Sequence, residues 1–189
     1  MSNKSMFETY SRLAVSELKQ VFDRMDDQSV RGLLELIKSH QRIFLIGAGR
    51  EGLSTKSFAM RLAHLGKTVY WIWDDTTPSI GAGDLMIVVC GSANVGHVNY
   101  VVEMTKKTGA KIALVTASDQ GPIVSLADQV TKMPAEAYRA TGDFVKSAQL
   151  MGNLFEQALL VLFDALVMVL REEVGLEKAD MVARHRNIE

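Results

Sequence analysis

The chain has 189 residues, 48% of them hydrophobic, and 21 basic residues nearly balance 22 acidic ones, for a net charge of −1. This length and composition predict one domain, residues 1–189, with a well-buried core, and the small charge disfavours a nucleic acid or an anionic membrane surface as a partner. The single cysteine, Cys90, excludes an internal disulfide. With no signal peptide at the start, these features predict a cytoplasmic protein.

The N-terminal part of the chain, residues 1–41, carries apolar residues at intervals of three and four. This period predicts two amphipathic helices between Met6 and His40, with the break at "DRMDDQS". Asp26 and Asp27 are the candidate N-caps of the second helix.

The pattern changes to short runs of β-branched and large apolar residues at Arg42. Five such runs are predicted strands: "RIFLI", "TVYWIW", "LMIVVC", "KIALVT" and "DQVTKM". Segments of helical period and length lie between the first four runs. This alternation predicts a doubly wound α/β fold, with a parallel sheet in residues 42–134 that helices cover on both faces.

The C-terminal part, residues 141–189, returns to a helical pattern. One long helix is predicted from Thr141 to Val174, followed by a short helix and tail in "EKADMVARHRNIE". The longest apolar run, Leu159 to Leu170, is interrupted by Asp164. Because this run is too short to span a bilayer, it predicts a buried helix and no membrane partner.

Four loops form the candidate site, because ligands of open parallel sheets bind beyond the carboxyl ends of the strands. They are "GAGREG", "DDTTPSIGAGD", "GSANVG" and "ASDQGP". In the first, Gly47, Gly49 and Gly52 have the G-x-G-x-x-G spacing of a dinucleotide-binding loop, and Asp74 and Asp75 follow the next strand. Two features weaken this interpretation. The second acid lies beyond the usual interval of about 20 residues, and about forty residues of predicted helix precede the first strand.

Several segments instead resemble, in order and spacing, the 6-phospho-3-hexuloisomerases, which are small members of the sugar isomerase (SIS) fold. The resemblance extends from about residue 40 to the end and is carried by "GAGREG", "FAMRLAHLG", "DDTTPSIGAGDLMIVVCGS", "GNLFEQALLVLFDALV" and "ARHRNIE". It implies a five-stranded parallel sheet, no metal or organic cofactor, and a homo-oligomer, a tetramer or dimer, with sites between subunits. It also implies interconversion of 3-keto and 2-keto hexose 6-phosphates through an enediol.

The same resemblance assigns catalytic roles to three residues. Glu156, in the family's "FE" motif, is the candidate base, and His64 and His185 are the candidate assisting groups. Each has a structural alternative: a solvated acid on a helix face, a structural histidine, and a frayed basic tail. The candidate substrate-binding residues are Gly49, Arg50, Glu51, Ser92, Asn94 and Thr77.

The chain departs from the family pattern in the loops that are expected to hold phosphate. Glu51 stands where the family motif GxGRSG has its serine. In the loop that corresponds to SGSGxT, Cys90 and Val95 replace the first serine and the threonine, whereas Ser92 is kept. A carboxylate about 4 Å from a phosphate repels it by roughly 1 kcal/mol in water and by several at lower dielectric. The usual mode of phosphate binding should therefore be weakened.

Three arrangements would relieve this conflict. Glu51 could turn outward and pair with Arg50 or Lys56, Ser54 and Thr55 could replace the missing hydroxyls, or the ligand could lack phosphate at this position. Two further interpretations of Glu51 remain open. It could cap its own helix, or it could accept hydrogen bonds from sugar hydroxyls or from an amine.

The leading functional hypothesis is a sugar-phosphate isomerase of the SIS fold that acts on a small carbohydrate. An SIS-fold enzyme for an amino or otherwise modified sugar is the second hypothesis. A ligand-sensing protein without catalysis and a dinucleotide-dependent enzyme are the remaining ones.

Overall fold

The computed structural model describes residues 5–188. Its helices are α1 (Met6–Asp23), α2 (Asp27–Ser39), α3 (Gly49–His64), α4 (Gly96–Lys107), α5 (Pro122–Leu126), α6 (Asn153–Glu173) and α7 (Lys178–Ala183). Its strands are β1 (Arg42–Gly47), β2 (Thr68–Trp71), β3 (Leu85–Val89), β4 (Lys111–Thr116) and β5 (Gln129–Lys132).

The five strands form one parallel sheet in the order β2-β1-β3-β4-β5. The predicted doubly wound α/β fold with helical extensions is therefore confirmed. The order reverses between β1 and β3, and this is where a crevice opens beyond the strand ends in such sheets. The loops that follow the carboxyl ends of the strands are therefore where a ligand is expected to bind.

Alternating side chains of the strands enter two separate cores, as the pleat of a strand requires. Ile43 and Leu45 belong to the core that α1, α2, α3 and α6 cover. Phe44 and Ile46 belong to the opposite core, beneath α4 and α5. Because both faces are covered, β3 is buried along its whole length, which explains its continuous apolar run.

The predicted boundary between the first two helices is confirmed. Asp26 is the N-cap of α2, and its carboxylate accepts hydrogen bonds from the backbone N–H groups of Gln28 and Ser29. These bonds satisfy two amides that a helix start leaves without an internal partner.

Two sequence predictions are wrong in detail. The connection between β2 and β3 contains no helix, and the long C-terminal helix begins at Asn153 rather than at Thr141. Residues 141–152 are irregular. The backbone of Gly142 and of Gly152 has φ of +138° and +83°, and these values cannot continue a right-handed helix.

The helix α6 has 21 residues and is long and apolar enough to cross a membrane by length and composition alone, although half of its apolar window is buried inside the domain. The apolar run from Leu159 to Leu170, from which the sequence excluded a membrane span, is shorter than this helix. Nine of its residues are buried, among them Leu154, Phe163 and Leu170. The Phe163 ring also stacks on the Phe58 ring of α3, with a centroid separation of 4.3 Å. These contacts make α6 a core helix of the domain.

Candidate active site

A cavity of about 550 Å³ opens beyond the carboxyl ends of β1 and β3, where the strand order reverses. The loop after β1, the loop after β3, the segment before α6 and the start of α6 all contribute to its wall. The lining residues are Ala48, Gly49, Arg50, Glu51, Ser92, Asn94, Val95, Gly96, Tyr138, Arg139, Met151 and Glu156. Five of the six predicted substrate-binding residues and the predicted base therefore lie around one cavity.

Two helices begin at this cavity without a side-chain cap. The N-cap residues are Ala48 for α3 and Val95 for α4, and neither side chain accepts a hydrogen bond from its helix. Gly49, the first residue of α3, has φ of +55°, and a Cβ added there would meet nothing within 4 Å. The free amides and the helix dipoles favour an anionic group in the cavity.

The carboxylate of Glu51 points across the cavity wall to the loop after β3. Its two oxygens lie 3.2 and 3.3 Å from the backbone nitrogen of Gly91, which donates to them. The Gly91 carbonyl accepts hydrogen bonds from the amide of Ala117 and from the hydroxyls of Thr116 and Ser118. The amide that Glu51 contacts is therefore held in a fixed position.

Burial raises the pKa of Glu51 to about 7, the Gly91 hydrogen bond opposes this rise, and the charge of Glu156 adds to it. Glu51 can thus change its charge near neutral pH. A carboxyl group whose pKa is raised by desolvation to near neutral pH is a common feature of binding and catalytic sites.

The structure contradicts the outward orientation considered for Glu51. The Arg50 guanidinium contacts Glu156 and not Glu51, and the Lys56 ammonium lies 4.9 Å from the centre of the Trp71 ring. Glu51 also does not cap its own helix, because its carboxylate accepts from Gly91 in another loop.

The proposed replacement of the missing hydroxyls is contradicted as well. Ser54 donates to the Glu156 carbonyl oxygen at 3.1 Å, and Thr55 donates to the Glu51 carbonyl oxygen at 2.7 Å. Neither hydroxyl lines the cavity. Glu51 therefore remains as an acidic group within the loops that were expected to bind phosphate.

Glu156 lies in the first turn of α6, where its side chain is 14% exposed. The Nη1 atom of Arg50 is 3.1 Å from its Oε2 atom and also donates to Asn153, one turn earlier on the same helix. Burial raises the pKa of Glu156, and Arg50 opposes this rise. The result is a largely desolvated carboxylate whose cationic partner favours the ionised form, as a general base requires.

The two candidate catalytic histidines do not line this cavity. His64, at the end of α3, and His185, after α7, face each other with ring centroids 5.2 Å apart. They line a second cavity of about 600 Å³ together with Arg61, Lys178 and Arg186, among others. Burial lowers the pKa of His64, and the nearby charges of His185 and Arg61 lower it further. The fold of one chain thus separates both histidines from the Glu156 cavity.

The remaining predicted residues differ in their placement. The Ser92 hydroxyl accepts from the Asn94 amide at 3.3 Å, and both residues line the cavity. Thr77 does not line it, because its hydroxyl donates to the Trp71 carbonyl oxygen at 2.7 Å and closes the loop after β2. Cys90 is buried, and burial raises the pKa of its thiol.

Three lining residues, Tyr138, Arg139 and Met151, lie outside the four loops that the sequence selected and were missed. Arg139 and Met151 have φ of +60° and +57°, uncommon values that a sequence pattern does not reveal. The Arg139 guanidinium lies 5.0 Å from the centre of the Tyr138 ring. Gly142 and Gly152 were the available signal that this segment is not helical.

A buried acid anchors the segment that carries these three residues. Glu17 of α1 accepts hydrogen bonds from the Ser147 hydroxyl, the Ala148 amide and the Gln149 side chain. Burial raises the pKa of Glu17, but these hydrogen bonds outweigh it and the net pKa is lowered. The wall of the cavity therefore depends on a contact with the first helix.

Within residues 5–188, no group of three or more His, Cys, Asp or Glu side chains is arranged to hold a metal ion. The acidic groups of the cavity, Glu51 and Glu156, are engaged by a backbone amide and by a guanidinium.

Comparison with known proteins places this architecture in context. The protein-family model described as SIS domain matches residues 35–161. A 3-hexulose-6-phosphate isomerase of Mycobacterium gastri is 38% identical over 177 residues, which cover 94% of this chain and 88% of that protein. A protein of the same name from Bacillus subtilis (strain 168) is 33% identical, over 93% of this chain and 95% of that protein.

Solved structures agree on the fold. A crystal structure of a Methanococcus jannaschii protein, for which a molecular function of 3-hexulose-6-phosphate isomerase was inferred, has a TM-score of 0.83. The alignment covers 96% of this chain and 99% of that one at 24% identity. At this identity the likeness concerns the fold alone.

Proposed function

Because the chain belongs to the SIS domain family, we propose that it is a sugar-phosphate isomerase that interconverts 3-hexulose 6-phosphate and fructose 6-phosphate. The names of the relatives at 38% and 33% identity support this substrate. One observation in the site supports it most directly. Glu156, a desolvated carboxylate with a cationic partner, lies in the cavity beyond β1 and β3.

The reaction needs one proton to move between adjacent carbons. Glu156 removes the proton from C2 of the 3-keto sugar while the oxygen on C3 gains a proton, which gives a 2,3-enediol. Glu156 then returns its proton to C3 as the oxygen on C2 loses one, which gives the 2-keto sugar. The charge of Arg50 favours the ionised form of Glu156 before the first step, and the sum changes neither the atoms nor the electrons of the substrate.

His64 and His185 complete the site in this proposal when two copies of the chain associate. Their cavity lies away from Glu156 on the same chain, so they can assist only across an interface. The outer face of α6 suits such an interface, because Leu160, Val161 and Met168 are exposed there. Exposed apolar patches commonly mark interaction surfaces. We therefore propose a homo-oligomer, a tetramer or a dimer, with sites between subunits.

The reaction is tested by incubating the protein with fructose 6-phosphate in deuterated water and following the C3 proton by NMR. Wild type should form 3-hexulose 6-phosphate and exchange this proton. Glu156→Gln should lose at least a hundredfold in rate, since general-base catalysis contributes about 10²–10⁴-fold. Glu172→Gln, at the exposed end of the same helix, is the matched control. Absence of exchange in wild type at high protein concentration would refute the activity.

The shared site is tested by mixing two inactive variants, Glu156→Gln and His185→Asn, under conditions that allow subunits to exchange. If each site takes Glu156 from one copy and His185 from another, random pairing restores about a quarter of the wild-type activity. A mixture as inactive as its components would contradict a site that two copies share.

A second candidate is isomerisation of an amino or otherwise modified sugar, and the position of Glu51 favours it. Its carboxylate lies within the cavity, where it can accept hydrogen bonds from an amine. A thermal-shift series with fructose 6-phosphate and glucosamine 6-phosphate separates the candidates, because only the second candidate predicts a larger stabilisation by the amino sugar.

We place the enzyme in the cytoplasm. Its one cysteine, Cys90, is buried and unpaired, in agreement with a reducing compartment.

A further inference from the structure

We propose that Glu51 determines the phosphate affinity of the cavity, because its carboxylate lies in the cavity wall beside two uncapped helix starts and a phosphate dianion binds next to it only as Glu51 takes up a proton. This inference rests on the proposed sugar-phosphate substrate. It concerns a residue that the family pattern of the phosphate loop does not contain.

The Glu51 carboxylate lies at a position where the surrounding helix starts favour a negative charge. Two uncapped helices begin at the cavity, and the Gly91 amide donates to both Glu51 oxygens. The Gly91 backbone is closely packed, since a Cβ there would be 2.6 Å from the Ala137 Cβ and 2.8 Å from Glu51 Oε1. A phosphate that enters the cavity therefore lies close to this carboxylate, which forms part of the wall.

Among the described residues, no basic side chain forms an ion pair with Glu51 or lowers its pKa. On its own helix, Arg50 is directed to Glu156. From α6, Glu156 adds a like charge, and from the end of β3 the Cys90 thiol is neutral, with its pKa raised by burial. Arg139 lines the same cavity from the segment after β5. An additional dianion beside Glu51 is thus opposed by charge repulsion.

Protonation removes this conflict and adds a contact. A neutral carboxyl group donates one hydrogen bond, so it can hold a phosphate oxygen that the carboxylate would repel. The cost is small near neutrality, because burial raises the pKa of Glu51 to about 7. A bound dianion favours the protonated form further.

The direction of the pH dependence follows from this linkage. At pH 6 most Glu51 is already protonated, so binding takes up little additional proton at this residue. At pH 8 Glu51 is ionised, and binding takes up nearly one proton for each site. Through its protonation, Glu51 should therefore lower the affinity for the phosphate dianion about tenfold between pH 6 and pH 8.

Isothermal titration calorimetry with fructose 6-phosphate tests this inference at pH 6 and pH 8, in two buffers of different ionisation enthalpy. Wild type should take up nearly one proton at pH 8, and the ³¹P shift should show that the bound phosphate remains dianionic. Glu51→Gln and Glu51→Ser should lack both this uptake and the corresponding tenfold dependence of affinity. Fructose without phosphate is the ligand control, and thermal unfolding checks each variant.

The outcomes separate this inference from the proposed reaction. Equal pH dependence in wild type and Glu51→Gln would overturn the inference, even for an active isomerase. Absence of fructose 6-phosphate binding to wild type at pH 6 would overturn it as well. Proton uptake that depends on Glu51, in a protein that does not isomerise the sugar, would support the inference and refute the reaction. Should both variants fail to fold, the buffer-dependent heat and the ³¹P shift of wild type still test the inference. Equal heats of binding in the two buffers at pH 8, after correction for buffer ionisation by the dianionic ligand, would mean that no proton is taken up and would overturn it.

Discussion

Replacing Arg50 with glutamine removes the cation whose Nη1 atom lies 3.1 Å from Glu156 Oε2. Since Arg50 lowers the pKa of Glu156 against the effect of burial, its removal should raise that pKa. The base is then protonated at pH values where wild type is active. We therefore expect the acidic limb of the pH profile of kcat/KM to move to higher pH.

The size of this effect follows from the distance and the exposure of the pair. Two unit charges about 4 Å apart interact by about 1 kcal/mol in water and about 4 kcal/mol at an effective dielectric of 20. The Arg50 side chain is 57% exposed, so solvent screens the pair and the lower figure applies. An energy of about 1 kcal/mol changes the ratio of ionised to protonated Glu156 about fivefold.

The assay measures kcat/KM for fructose 6-phosphate between pH 5 and pH 9, together with a ¹³C NMR titration of labelled glutamate carboxyls. Glu156→Gln assigns the resonance. Arg139→Gln is the matched control, because Arg139 lines the same cavity and its guanidinium lies over the Tyr138 ring. An Arg50→Gln titration that is unmoved, or that moves no further than in the control, would refute the role given to Arg50.

Three further predictions concern the fold that supports the site, and the free energy of unfolding in urea measures each. Glu17→Gln should lower this free energy by about 1–3 kcal/mol at pH 7. Because the pKa of Glu17 is lowered from 4.5, the difference from wild type should shrink as the pH falls below about 4.5, and a difference that does not change with pH would contradict the prediction. Phe163→Ala, which removes the ring stacked on Phe58, should cost about 3–5 kcal/mol, and a loss under about 1 kcal/mol would show a poorly packed contact. Gly91→Ala should lower the free energy of unfolding by about 1–3 kcal/mol, because its Cβ would lie 2.6 Å from a neighbouring methyl carbon. Gly96→Ala is the control and should change stability little, because there is open space at its Cβ. Equal losses in the two variants would contradict the close packing at Gly91.

Most of the fold was predictable because burial on two faces imposes a strong local pattern. All of β3 is buried, so its sequence is an uninterrupted apolar run that predicts a strand of a covered parallel sheet. The prediction was wrong at residues 141–152, where hydrophobic spacing suggested a helix. There the observed backbone depends on glycine conformations and on hydrogen bonds to Glu17 in a distant helix.

The location of the site was also predictable in part. The rule that ligands bind beyond the carboxyl ends of parallel strands selected four loops, and two of them, those after β1 and β3, line the cavity. The lining residues Arg139 and Met151 were missed because their positive φ values depend on surrounding structure. Thr77 was selected with the site, but its hydroxyl closes its own loop.

The sequence alone determined the family resemblance, the parallel sheet and the presence of an acid at position 51, because these features depend on residue type and on spacing along the chain. The tertiary structure decided what that acid does. The Gly91 amide that Glu51 contacts is 40 residues away in the chain, and the cation that could have neutralised it, Arg50, is held by Glu156 from a third element. Such partners are set by the packing of separate loops at one edge of the sheet, which no local pattern encodes.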